Sequence, residues 1–266
     1  MAIIINMINF VCKLKRREMS NNNTMDNTSQ IELFQKYCSL LKKQDFDNAN
    51  TLFNEIDWFR FCKVGYHNVL KAVPVITEDL LLSIFCSRDS RGLWDFYIDN
   101  FILKVSIRRK MSPKVESFGW KHVYQMDYPA RDDRFILVSI LSKYSLTDRM
   151  TNEELDYYNQ FPEEFTIYRG TNEEEFESKE FGVSWTPEQK VAEFFAFREE
   201  ELTSERSKRI VLAATVHKAD IVTCLLGRNE YEFIVAPERL LDIHVLLNQR
   251  TNLYDIYVDE VRHIRL

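Results

Sequence analysis

Glycine is scarce in this chain, with six in 266 residues. Neither GxGxxG nor GxxxxGK[ST] occurs, which excludes the usual glycine-rich loops that cradle nucleotide phosphates. Cysteine is equally thin. Cys12, Cys38, Cys62, Cys86 and Cys224 are odd in number and scattered, with no CxxC. That argues against a disulfide framework or a zinc site and favours a reducing compartment, so a cytoplasmic protein is expected. The five histidines are dispersed too, and no metal is expected. Long apolar runs are missing. The start, MAIIINMINF, is apolar for only about ten residues, too short to span a bilayer. Its basic residues follow the run, whereas a secretory signal has them before it. Nor is there an excess of positive charge. The net charge of −6 offers no broad footprint for a nucleic-acid backbone, although it leaves a local basic groove open.

What the chain does have is enough apolar material for a core, 45% hydrophobic and 13% aromatic, over a length suited to one large or two modest domains. Residues 1–29 read as a mobile extension, with Met19 an alternative start and Ser20–Gln30 a polar linker. Residues 30–129 read as mostly helical. IELFQKYCSLLKKQ, NANTLFNEIDWFRFCKV and TEDLLLSIFCSR carry apolar residues at helical spacing, while LWDFYIDNFILKV fits helix or strand. Residues 106–129, with Pro113, Gly119 and Pro129, read as irregular. Residues 130–266 form the third segment. RDDRFILVSILSKY and TNEELDYYNQF are helical, the second opened by a Thr151–Glu154 capping box. Strand-like stretches then follow in succession: EFTIYRG, FGVSWT, RIVLAATV, DIVTCLL, YEFIVAP, LLDIHVLL and parts of LYDIYVDEVRHIRL. A helix interrupts them, with Thr186 as N-cap, Pro187 first and Gln189 closing the box. Strands in succession argue α+β rather than a doubly wound sheet.

Three short motifs in this last segment carry chemistry. Arg169 ends a strand on the face of Phe165 and Ile167. Alone it reads as an arginine snorkelling at a sheet rim, or as a clamp for a phosphate or carboxylate. Ser184 and Thr186 share a strand face with Trp185 on the other; alone, Thr186 is a cap and Ser184 incidental. Glu230 and Glu232 stand either side of Tyr231, so strand alternation sends both carboxylates one way. Alone they read as a solvated sheet edge.

Taken in order, YRG (168–170), SWT (184–186) and EYE (230–232) resemble the Arg–Ser–Glu class of ADP-ribosyltransferase domains, which includes bacterial mono-ADP-ribosylating toxins and related phage enzymes. VAEFFAFR resembles the helix after the serine strand in bacterial members. The resemblance covers about residues 130–266 and implies two small angled sheets flanked by helices, with NAD⁺ in the cleft between them. It implies that Glu232 bonds the ribose hydroxyl and that Ser184 orients Glu232. Arg169 would hold the diphosphate and ribose side, and the Gly170 backbone would meet the nicotinamide amide. Glu230 would engage the acceptor, with Arg228 and Asn229 in the recognition loop. Phe194 and Phe197 stand between a nicotinamide pocket and core packing. The middle motif departs from the common Ser-Thr-Ser, so a role for Thr186 is carried over only loosely.

The expected activity is therefore transfer of ADP-ribose from NAD⁺ to a macromolecule by a toxin or effector, in the cytoplasm or delivered into a target cell. Protein arginine is the favoured acceptor and nucleic acid the second class, with an antitoxin or inhibitor as a further partner. An NAD glycohydrolase and a non-catalytic partner-binding protein on the same fold are the competing readings.

Overall fold

The computed structural model describes residues 27–88, 90–127, 131–198, 208–227 and 231–264. The chain divides into two compact units, with the boundary in sequence between Pro129 and Ala130. Among the described residues, no helix is long and apolar enough to cross a membrane.

The first unit is helical: α1 Asn27–Lys42, α2 Phe46–Phe53, α3 Trp58–Ala72, α4 Glu78–Cys86, α5 Leu93–Tyr97, a π-helical turn Ile98–Ile102, α6 Val105–Arg108 and α7 Pro113–Met126. Asn27–Gln30 are already helical, so the polar stretch read as a linker is shorter than its composition suggests. The stretch read as irregular contains α7. Ser112 Oγ accepts from the Val115 N–H and Pro113 occupies the first turn, the position where its missing N–H costs nothing. Gly119 sits inside this helix because a Cβ there would run into the Tyr97 hydroxyl. Tyr97 in turn donates to the Glu116 carbonyl at 3.0 Å. Trp94, Tyr97, Phe101 and Trp120 are fully packed in this core. Burial pushes the Tyr37 hydroxyl up to about 12. Lys110 Nζ donates to the carbonyls of Leu70, Lys71 and Val73, satisfying acceptors that α3 leaves unpaired at its C-terminus.

The second unit is α+β. Helices α8 Arg131–Leu141, α9 Leu146–Arg149 and α10 Asn152–Asn159 lead into β1 Glu164–Asn172, α11 Glu173–Ser178, β2 Ser184–Trp185, α12 Gln189–Phe197, β3 Arg209–His217, β4 Ile221–Leu225, β5 Glu232–Val235, β6 Leu241–Leu247 and α13 Asn252–Ile264. The capping box at Thr151 and Glu154 is present. The strands form two antiparallel three-stranded sheets, β1-β3-β6 and β2-β5-β4. Ile167, Leu212, Ala214 and Val216 of the first sheet pack in one cluster with Trp185 and Phe233 of the second. The opposite face of the first sheet is covered by Ala192, Ala196 and Phe197 of α12 and Tyr254 of α13. Central strand β3 is thus buried on both faces, which explains its unbroken apolar text, IVLAA.

Two expectations differ from this outcome. LYDIYVDEVRHI is helix α13, not strand. Tyr254 and Tyr257 bury their rings three residues apart, the spacing of one helix face. The helix begins where the buried Glu193 carboxylate accepts from the Thr251 N–H and hydroxyl at 2.9 and 2.8 Å. Helix α12, for its part, starts at Gln189 rather than after Thr186. The Thr186 backbone is held extended by a two-way bridge to Tyr168, at 2.7 and 2.9 Å, and its hydroxyl accepts from the Glu188 N–H.

Candidate active site

Side chains of β1 alternate. Phe165 and Ile167 join the core between the sheets, while Tyr168 packs against the α12 cluster. Arg169 continues the Ile167 face. Gly170, on the other face, lies directly under α12. A Cβ at Gly170 would run into the Ala192 carbonyl oxygen and stand 2.5 Å from the Ala196 nitrogen. Helix packing therefore requires glycine here. Backbone atoms cannot swing away as a side-chain end can. We expect Gly170→Ala to cost about 1–3 kcal/mol of stability through overpacking, read as a lower urea midpoint.

The Tyr168–Thr186 bridge joins one sheet to the other and delivers Arg169 to β2. Arg169 Nη1 donates to the Ser184 carbonyl at 2.8 Å. Its Nε and Nη2 donate to the two carboxylate oxygens of Glu175 at 2.7 and 3.1 Å. Glu175, on α11, also accepts from the Thr171 hydroxyl at 2.7 Å and the Gly182 N–H at 2.9 Å. Both partners are mostly enclosed, with side chains 14% and 15% exposed. Burial raises the Glu175 pKa, but the hydrogen bonds and charge of Arg169, with Thr171 and Gly182, outweigh it and lower the group to about 2. The guanidinium lies against Gly182, where an added Cβ would stand 2.7 Å from Cζ. Trp185 Nε1 donates to the Gly182 carbonyl and so fixes that turn from within the core. A guanidinium has five N–H donors. Three are used, leaving one on each terminal nitrogen without an acceptor among the described residues.

Glu232 opens β5, next to β2. Trp185 faces Phe233 across the pair and Ser184 faces Ile234. Trp185 and Phe233 point into the core, so Ser184 and Glu232 share the other face, on neighbouring strands. Diagonal neighbours of this kind lie about 7–8 Å apart. Glu232 is 9% exposed and Ser184 is half-buried. The Ser184 hydroxyl makes no hydrogen bond among the described residues, so the expected Ser184–Glu232 bond is not made here.

The structure thus brings Arg169 and Ser184 into contact and puts Glu232 on the Ser184 face. Thr186 is buried, and its hydroxyl accepts from the Glu188 N–H in a turn. Glu230, Arg228 and Asn229 lie outside the described residues. The expected alignment of Glu230 with Glu232 therefore falls outside them too; what is described is that β5 begins at Glu232, after Tyr231 with a φ of +46°. Phe197 belongs to the core, and Phe194 packs on Tyr254 and Tyr257. Glu175 went unrecognised in the sequence. It lies among Glu173, Glu174 and Glu177, and only the Asn172 cap, whose side chain accepts from the Glu175 N–H at 3.0 Å, marks its position in the turn. No family model, no curated protein and no solved structure matches the chain.

Proposed function

We propose that residues 130–266 form an ADP-ribosyltransferase of the Arg–Ser–Glu class that moves ADP-ribose from NAD⁺ to a macromolecular acceptor. The observation that carries this reading is the junction of the two small sheets. Among the described residues, Arg169 bonds the β2 backbone there with two donors to spare, and Glu232 and the unengaged Ser184 hydroxyl share one face of adjoining strands.

The residues suit that substrate. The spare Arg169 N–H groups present a planar pair to a diphosphate oxygen. Breaking the bond between the ribose C1′ and nicotinamide sends the electron pair to the leaving ring and builds positive charge on the sugar. A fixed carboxylate, Glu232, stabilises that charge more than the ground state. Ser184 is free to bond either the substrate or Glu232 once NAD⁺ is bound. The acceptor then bonds C1′, and Glu230 takes its proton.

Charge supports a protein arginine as acceptor. Residues 130–266 carry 27 acidic residues against 17 Lys and Arg, a field that attracts a cationic partner and repels a polyanion. A toxin or effector of this kind acts in a cytoplasm rich in NAD⁺, and a neutralising inhibitor would have to cover Arg169 and Glu232.

Incubation with labelled NAD⁺ and a whole-cell extract, followed by protease or nuclease, tests this. Protease-sensitive label is expected. Nuclease-sensitive label moves the acceptor to nucleic acid. Free ADP-ribose alone makes the protein a glycohydrolase. Absence of NAD⁺ binding by calorimetry leaves a partner-binding protein. Glu230→Gln should lower transfer at least tenfold while NAD⁺ hydrolysis persists; equal loss of both would contradict the separate role of Glu230.

A further inference from the structure

The chain's acidic net charge hides an uneven distribution. Residues 30–129 hold 14 Lys and Arg against 12 Asp and Glu, and three of these cations gather around a group of rings: exposed His67, half-buried Tyr66 and buried Phe96. Tyr66 and His67, at the end of α3, have ring centroids 4.0 Å apart. The Arg88 guanidinium lies 3.7 Å from the Phe96 ring centroid and 5.4 Å from that of Tyr66. Lys104 Nζ donates to Asn100 Oδ1 at 2.9 Å, and the Tyr66 hydroxyl reaches the same oxygen at 3.4 Å. Phe96 in α5, Asn100 in the π-helical turn and Lys104 just before α6 follow at four-residue spacing. Lys71 lies one turn beyond His67 on α3. His67, Lys71, Arg88 and Lys104 are all exposed. Among the described residues, Lys71, Arg88 and Lys104 form no ion pair with a carboxylate. Desolvation lowers the His67 pKa, and the charges of Lys104, Lys71 and Arg88 lower it further, so all three stand close enough to be felt at the ring.

Surface cations usually take up nearby carboxylates, and Asp95 and Asp99 are on hand on the same turns. Three that form no ion pair among the described residues, around rings packed on one another, carry a positive potential that a ligand is left to neutralise. The rings add a second requirement. The exposed His67 ring and the exposed Arg88 guanidinium plane offer flat faces to a nucleobase, while the ammonium groups suit the phosphates on either side. An acidic peptide would satisfy the cations and leave the rings unused.

We propose that this face of the helical unit, built on Tyr66, His67, Lys71, Arg88 and Lys104, binds single-stranded nucleic acid. The inference does not rest on the transferase reading, since it concerns the other unit and a different ligand.

The test uses the full chain and a fluorescein-labelled twelve-nucleotide poly-U RNA, followed by anisotropy at several salt concentrations. Affinity should fall as salt rises. The combined variant Lys71→Ala, Arg88→Ala, Lys104→Ala should bind at least about tenfold more weakly and lower the salt slope by about 2, at about 0.7 per lost phosphate contact. His67→Ala, at an exposed position that does not endanger folding, should weaken binding by about 5- to 100-fold, the scale of one stacked base, and leave the slope unchanged. An unaltered melting temperature confirms that each variant is folded. The proposal is overturned if the parent chain does not bind the RNA at low salt or the combined variant binds as the parent does. Unchanged affinity of His67→Ala, or equal binding of a polyglutamate peptide of matched charge, would assign the face to acidic protein and overturn it as well.

Discussion

Glu232→Gln is expected to lower NAD⁺ turnover by about 100- to 1000-fold, the usual cost of removing one preorganised electrostatic stabiliser. The substitution changes charge and barely changes shape. Glu232 opens β5 and pairs with Leu225 of β4, so its backbone is held by the sheet whatever the side chain does. The residue is 9% exposed, and in so enclosed a place a full charge acts on a developing cation more strongly than in water. The amide keeps one hydrogen-bonding oxygen, so NAD⁺ affinity should change much less than the rate. Single-turnover kinetics with labelled NAD⁺, beside a melting curve, separate the two. A folded Glu232→Gln protein that matches the parent rate would refute the assigned role. No cleavage by the parent itself would instead remove the enzymatic reading altogether.

Removing Glu175 should produce the largest change in stability. Arg169 is enclosed and its charge is answered by that carboxylate. Breaking an enclosed ion pair from one side costs about 3–5 kcal/mol, because the other charge is left without compensation. Glu175→Ala also strips the acceptor from the Thr171 hydroxyl and the Gly182 N–H. The guanidinium then loses two of its three hydrogen bonds and with them its fixed plane. NAD⁺ binding should weaken alongside stability, whereas Glu232→Gln should leave binding nearly intact.

The pH dependence follows from the sign of the shift. Glu175 falls from an ordinary value of 4.5 to about 2 in the folded protein. A lowered carboxyl stabilises the fold at pH values above 4.5, and that contribution is lost as pH falls from there towards 2. A shift of this size corresponds to about 3 kcal/mol. Urea unfolding of the parent and of Glu175→Gln should therefore differ most near neutral pH, and the gap should shrink by about that amount across this window. Parallel curves would show that the pair contributes nothing through ionisation.

Several expectations came from local chemistry that tertiary contacts do not disturb. Thr151 and Glu154 make their capping box because both partners lie within one turn. The order and approximate bounds of the strands from EFTIYRG to LLDIHVLL followed from runs of β-branched and aromatic residues. Helix α7 was missed although its signal was local, Ser112 before Pro113; Gly119 and the flanking proline obscured it.

By itself, then, the sequence determined which segments are helices and strands where the period was clear, the α+β class, and the presence of an arginine, a serine and a glutamate on three separate strands. Which groups meet was decided only in three dimensions. The Tyr168–Thr186 bridge joins residues 18 apart and overrode the local cap at Thr186, since two backbone hydrogen bonds outweigh one side-chain cap. Buried Glu193 set the start of α13 from 58 residues away, turning a stretch rich in strand formers into a helix. Glu175 looked like one more solvated glutamate until folding enclosed it against Arg169. A charge becomes an organiser only when water is removed around it, and which water is removed depends on packing between segments far apart in the chain.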